Sequence, residues 1–185
     1  MVERLSRQFA GSLDLDYLLS VLLDTLSRVT ESDQIQIFVQ EPQREHYGLA
    51  AVLGEAPLEK EIPYDHALSQ CLVENDQVLC MPNTADVRRI DAREAAAKAY
   101  MAREELVLCV ALRIHNTVFG WIGLGPKRGG SLYARDEQSF LVSLTDQAVV
   151  AIHNALLYRQ AQNHARQQAI LNHVGRILTS TLDLQ

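Results

Sequence analysis

The stretch Leu106 to Gly125, LVLCVALRIHNTVFGWIGLG, most limits what this chain can become. Two apolar runs flank a polar corner, His115-Asn116-Thr117. Side chains alternate along an extended chain. Leu106, Leu108, Val110, Leu112 and Ile114 therefore share one face, and Val107, Cys109, Ala111 and Arg113 the other. Both faces start apolar, which predicts a strand in a sheet covered on both sides. The second run carries Phe119, Trp121 and Ile122 between glycines, and Asn116 can take the positive φ of a short hairpin connection. Gly120, Gly123 and Gly125 weaken a strand, so they mark bulges or points where a neighbour packs against the backbone. Such a hairpin needs sheet partners and two covers.

The remaining chain offers both. Val2 to Gly11 reads as a short helix with Leu5 and Phe9 four apart on one face. Asp14 or Asp16 can cap the next helix, Tyr17 to Val29, whose Leu18, Leu22, Leu26 and Val29 form a 3.6-period stripe. Ile35 to Val39 and His46 to Leu53 alternate as strands around the turn Pro42 to Glu45, and Leu58 to Ile62 suits a short third strand. A helix is expected from His66 to Glu74, then a short strand from Gln77 to Met81. Asp91-Ala92-Arg93-Glu94 has the spacing of a capping box and opens an alanine-rich helix to about Arg103. From Ala134 the pattern is helical throughout. Apolar residues nearly surround the helix to Tyr158, whereas Arg159 to Gln168, RQAQNHARQQ, reads as a solvated connecting helix. From Ile170 to Leu178 it is amphipathic again.

At 185 residues and 48% hydrophobic, the chain can bury one sizeable domain with an extension. Its net charge of -6 and lack of a basic stripe argue against nucleic acid or an anionic membrane as partner. No apolar run approaches a membrane span, and the three cysteines show neither a CxxC pair nor zinc spacing. A reducing, cytoplasmic setting and no metal follow as expectations. Leu5 to Asp16 aligns without gaps on Val174 to Gln185, arginine and Leu-Asp-Leu coinciding. This predicts the start of a second, truncated copy over 170–185, after a connecting helix over 159–169.

Several pieces resemble the GAF domain family. Gln77-Val-Leu-Cys-Met-Pro-Asn-Thr-Ala-Asp86 is similar to its short strand ending in a proline turn. Leu106 to Arg113 resembles its "LLAVPL" strand, with Ala111 where proline is common, and Gly120 to Leu124 its "GVLEL" strand. Ser131 to Glu137 resembles the family's "F(S/T)xxD" helix start. Ala148-Val-Val-Ala-Ile-His-Asn-Ala-Leu-Leu-Tyr158 is similar to "QAAIAIENARLY", the most specific of these matches. The resemblance covers residues 3–158 as one domain and implies an α+β fold: a central antiparallel sheet, N- and C-terminal helices on one face, and a ligand-pocket cover on the other. It also implies a cytoplasmic sensory or regulatory module of a bacterial signalling protein, of the histidine kinase or cyclic-dinucleotide cyclase type. An interaction module without a ligand is the alternative.

Departures from the family's ligand signatures narrow the chemistry. Pro126-Lys127 stands where cyclic-nucleotide binders have Asn-Lys, and Leu132 where they have phenylalanine, although Asp136-Glu137 is present. Cys71, Cys80 and Cys109 are followed by Leu72, Met81 and Val110, not by the histidine common at bilin attachment. The cofactor is therefore left unknown. Nor does any cysteine sit beside a basic residue, as a reactive thiol of the free methionine sulfoxide reductase branch needs. No nucleophile has a base at readable spacing, so no enzyme is expected. Small Cys109 and Ala111 leave room on their face. The candidate ligand site is thus Cys109, Ala111, Phe119 and Trp121 on the sheet with Tyr64, His66, Tyr100 and Met101 on the cover; the same residues could equally fill a closed core. Leu141, Leu144, Ala148, Ala151, Ala155 and Tyr158 recur at three and four residues. With Leu5 and Phe9 they form the candidate seam of a homodimer, its helices aimed at a signalling output domain.

Overall fold

The computed structural model describes residues 14–41, 44–74, 78–81, 91–114 and 117–182, with side chains described to 168 and at 170. Leu5, Phe9 and the corner His115-Asn116 lie outside these residues. Helix α1 is Leu15–Thr30. Of its two candidate caps Asp14 is the one used: its carboxylate accepts from the amides of Asp16 and Tyr17 at 3.1 and 3.3 Å. Glu31, at φ 52°, ends the helix in the left-handed region. The Leu18, Leu22, Leu26 stripe is fully buried.

Strands β1 (Ile35–Gln40), β2 (His46–Leu53), β3 (Glu61–Pro63), β4 (Val78–Cys80), β5 (Leu108–Ile114) and β6 (Thr117–Leu124) form one sheet. Its order is β3-β2-β1-β6-β5-β4, with every neighbouring pair antiparallel. The third strand starts later than expected. Leu58 is 75% exposed and gives its amide to the Glu104 carboxylate at 3.0 Å instead of to the sheet. Two short helices, α2 (Ala67–Glu74) and α3 (Ala92–Arg103), lie on one face. Asp91 caps α3 by accepting from the Glu94 amide at 2.7 Å, while the Glu94 carboxylate pairs with Lys98 one turn on, at 2.5 Å. Gly120 sits where two backbones meet: a Cβ there would lie 2.2 Å from the Phe38 carbonyl oxygen.

The other face carries α1 and the long α4 (Arg135–Leu182), 48 residues without a break. The expected connecting segment and the residues beyond it up to Leu182 continue this same helix. A window of α4 is apolar enough, by length and composition, to cross a membrane, but its apolar stripe packs on the sheet and α1. Leu141, Leu144, Ala148 and Ala155, expected in a dimer seam, are buried within this single chain. They belong to one core with Leu18, Leu22 and Leu26 of α1 and Leu108, Val110, Leu112, Ile122 and Leu124 of the hairpin. The stripe is real, but within this chain it packs on the sheet and α1. Ala151 is half-buried, and Tyr158 stays 45% exposed.

Candidate functional site

The hairpin sorts its side chains as strand alternation requires. Leu108, Val110 and Leu112 face α4, and Cys109 and Ala111 face the cover. Trp121 stands opposite Ala111 in the ladder and is fully buried on the same face as the two small residues. Its indole stacks on Phe38 of β1, ring centroids 4.3 Å apart, and meets the Tyr100 ring edge-on at 6.2 Å. Met101, a residue after Tyr100 on α3, is fully buried in the same cluster.

Phe119 is not there. Strand parity puts it beside Trp121, but the ladder slips between Leu112 and Arg113: Gly120 pairs with Leu112, and Val118 with Arg113. Phe119 is the extra residue of a bulge, which reverses the facing of everything before it. Val118 takes the cover side, and Phe119 turns to α4, where its ring meets His153 at 5.1 Å.

The cover is anchored at several points. His66 precedes α2, and its Nδ1 accepts from the Leu68 amide at 3.2 Å. Its ring meets Tyr100 edge-on at 4.8 Å. Burial lowers the His66 pKa, with smaller effects from Glu59, which opposes it, and Arg103, which adds to it. The ring is thus held neutral, as an accepting Nδ1 requires. Tyr64 lies on the rim: its ring packs edge-on against Tyr47 at 4.8 Å, and its hydroxyl donates to the Glu41 carbonyl at 3.3 Å. Arg113 is a residue that sequence reasoning left without a role. Its guanidinium donates to the carbonyls of Leu72 and Val73, closing the C-terminal end of α2. At the end of α3, Arg103 lies over the Tyr100 ring at 5.3 Å and pairs with Glu59 at 2.7 Å and Glu104 at 3.4 Å.

Four buried side chains on this side hold polar atoms with no hydrogen-bond partner among the described residues: the Trp121 indole nitrogen, the Tyr100 hydroxyl, the Ser69 hydroxyl and both amide atoms of Gln36. All four residues are at most 4% exposed. Burial raises the pKa of all three thiols, Cys71, Cys80 and Cys109. For Cys109, which is fully shielded from solvent, the shift is far upward. Protonated thiols are poor nucleophiles, and Cys71 and Cys109 are also buried, whereas Cys80 is half-buried. Among the described residues, no group of three or more metal-ligating side chains comes together. On the opposite side of the sheet, an open cleft of about 540 Å3 runs between α1, β2 and α4, lined among others by Leu15, Leu19 and Leu156 and by Asp16, Glu41 and Arg159.

Comparisons with known proteins agree with this geometry. A methyl-accepting chemotaxis protein fragment, residues 122 to 287, superposes with a TM-score of 0.62 at 17% identity, over 83% of this chain and 98% of its own. The GAF domain of a two-component sensor histidine kinase from Bacillus halodurans gives 0.59 at 23%, over 80% and 99%. A type II free methionine-R-sulfoxide reductase from Thermoplasma acidophilum gives 0.52 at 16%, over 76% and 96%. These likenesses establish the fold alone. No curated protein matches the chain. The family model described as GAF domain matches residues 14–154, most of the chain's length. The chain belongs to the GAF domain family.

Proposed function

We propose that this chain is a sensory or regulatory module that binds a small molecule between the sheet and the α2–α3 cover and passes the change to α4. One observation carries this reading. Strands β5 and β6 serve both faces at once: Cys109, Ala111 and Trp121 face the cover, while Leu108, Val110, Leu112, Ile122 and Leu124 pack in the core with α4. A ligand that moves the hairpin therefore acts on the helix that leaves the domain. Signalling proteins of the kind named among the structural relatives, a chemotaxis protein and a sensor histidine kinase, supply the context. The chain serves such a protein from the cytoplasm, and residues 170–185 begin a second copy of the domain. The module is not a catalyst: its three thiols are held protonated by burial, which disfavours the reductase alternative.

Thermal melts with a panel of metabolites test the binding reading, because a ligand selective for the folded state raises the melting temperature. Ala111→Val narrows the space under Trp121 and should abolish the shift. A shift that survives Ala111→Val places the ligand elsewhere.

The second reading, dimerisation, has its own observation. Val150, Leu157 and Tyr158 are 56%, 48% and 45% exposed on α4, and Val150 and Leu157 are seven residues apart, the repeat of a two-helix seam. A homodimer would use these residues in place of the buried Leu144 and Ala148. Sedimentation at tens of micromolar should show a dimer that Leu157→Glu dissociates; a wild-type monomer rules the seam out.

A further inference from the structure

The unpartnered atoms of the cover side point to the chemistry of its ligand. We infer that this layer takes an uncharged small molecule bearing a hydrogen-bond acceptor such as an amide or ketone carbonyl, held by Tyr100, Trp121 and Ser69. The inference rests on the reading that the cover side is the binding face.

Three elements each bring one buried polar group to this layer: Tyr100 from α3, Trp121 from β6 and Ser69 from α2. An indole nitrogen can only donate, and a phenol or serine hydroxyl can donate. Burial pushes the Tyr100 phenol well up, with the Glu104 carboxylate acting in the same direction, so it keeps its proton. Gln36, on the same face of β1, adds a neutral amide able to give or accept. Leaving such groups dry and unpaired is unfavourable, and an acceptor on the ligand relieves it.

Charge is the second half of the argument. Among the described residues, the charged side chains near this layer are already engaged. Glu104 accepts from the Leu58 amide and pairs with Arg103, which also pairs with Glu59. Arg113 is turned to the α2 carbonyls. His66 is held neutral with its Nδ1 accepting. An ionised ligand would find no free counter-charge among the described residues, and proteins avoid burying an unpaired charge. The layer therefore selects against carboxylates, phosphates and ammonium groups.

Trp121 is the only tryptophan in the chain, so its indole N–H gives one resonance in a nitrogen-15 correlation spectrum. The 185-residue chain is titrated separately with N-methylacetamide, acetate and methylammonium at matched ionic strength. The expected result is a saturable shift of the indole resonance with N-methylacetamide alone. Tyr100→Phe and Ser69→Ala should each weaken that binding about fivefold, the worth of one neutral hydrogen bond. An equal or larger saturable response to acetate or methylammonium overturns the ligand class and leaves the binding face standing. No saturable response to any probe, or an N-methylacetamide affinity unmoved by both variants, overturns the inference, while the metabolite melts with Ala111→Val judge the binding face independently.

Discussion

The two faces of the sheet are built differently. On the α4 side, α1 and α4 bury a continuous set of aliphatic residues, Leu18, Leu22, Leu26, Leu144, Val149 and Ile152 among them. On the cover side, aromatic and small residues mix under two short helices, and four buried side chains keep polar atoms without partners among the described residues. A face made only to hold a fold together has no need of unpaired polar groups, since each lowers stability. The aliphatic face carries the stability and the outgoing helix, and the ligand proposed above would sit on the other.

The largest effect should come from the α4 face. Leu22→Asp puts an unpaired carboxylate into the aliphatic core at a fully buried position. That costs several kcal/mol, on the order of the whole stability of a domain of this size. Circular dichroism should show an unfolded or barely folded protein; a variant melting within a few degrees of wild type would break the assignment of that face. Next comes Arg113→Ala, which frees the last carbonyls of α2. A loss of about 1.5–3 kcal/mol is expected by denaturant unfolding, as for hydrogen bonds to a charged group. No measurable change would mean that α2 is held by apolar contact alone.

Two tyrosines sharpen the contrast within the cover side. The Tyr47 hydroxyl donates to the Val118 carbonyl at 3.2 Å, whereas the Tyr100 hydroxyl has no partner among the described residues. Tyr47→Phe should lose about 1 kcal/mol, while Tyr100→Phe should leave the ligand-free protein unchanged or slightly more stable. Equal losses would show that the Tyr100 hydroxyl is satisfied. The smallest effect is that of pH on His66. Burial lowers its pKa in the folded state, so the unfolded chain binds the proton more readily. Stability from this residue is full above the ordinary histidine pKa of about 6.5 and falls as the pH drops through that value toward the lower folded one. His66→Asn should flatten this part of the stability–pH curve relative to wild type; superimposable curves would place the pH dependence elsewhere.

Much of this contrast is legible in the sequence, for physical reasons. The period-2 pattern separates Cys109 and Ala111 from Leu108, Val110 and Leu112, and the structure keeps them on opposite faces. Asp14 and Asp91 are short side chains placed to accept from the first free amides of a helix, and both do so. Phe119 defeats the pattern because a bulge inverts parity and nothing in Val118-Phe119-Gly120 separates a bulge from a close approach; Gly120 borders the one and makes the other. Leu144 and Ala148 mislead differently: an apolar stripe says that a helix is covered, not by which chain. Ser69 and Gln36 carry no periodic signal of their own. Their meaning appears only when the fold buries them without partners among the described residues.

Native-state hydrogen exchange tests the division between the faces most directly. If the cover is the face that opens to admit a ligand, amides of α2 and α3 exchange through a local opening. Their opening free energy should then lie well below that of α1, β1, β6 and the sheet-packed half of α4, which exchange together at the global value. A single opening free energy shared by both faces would contradict the account.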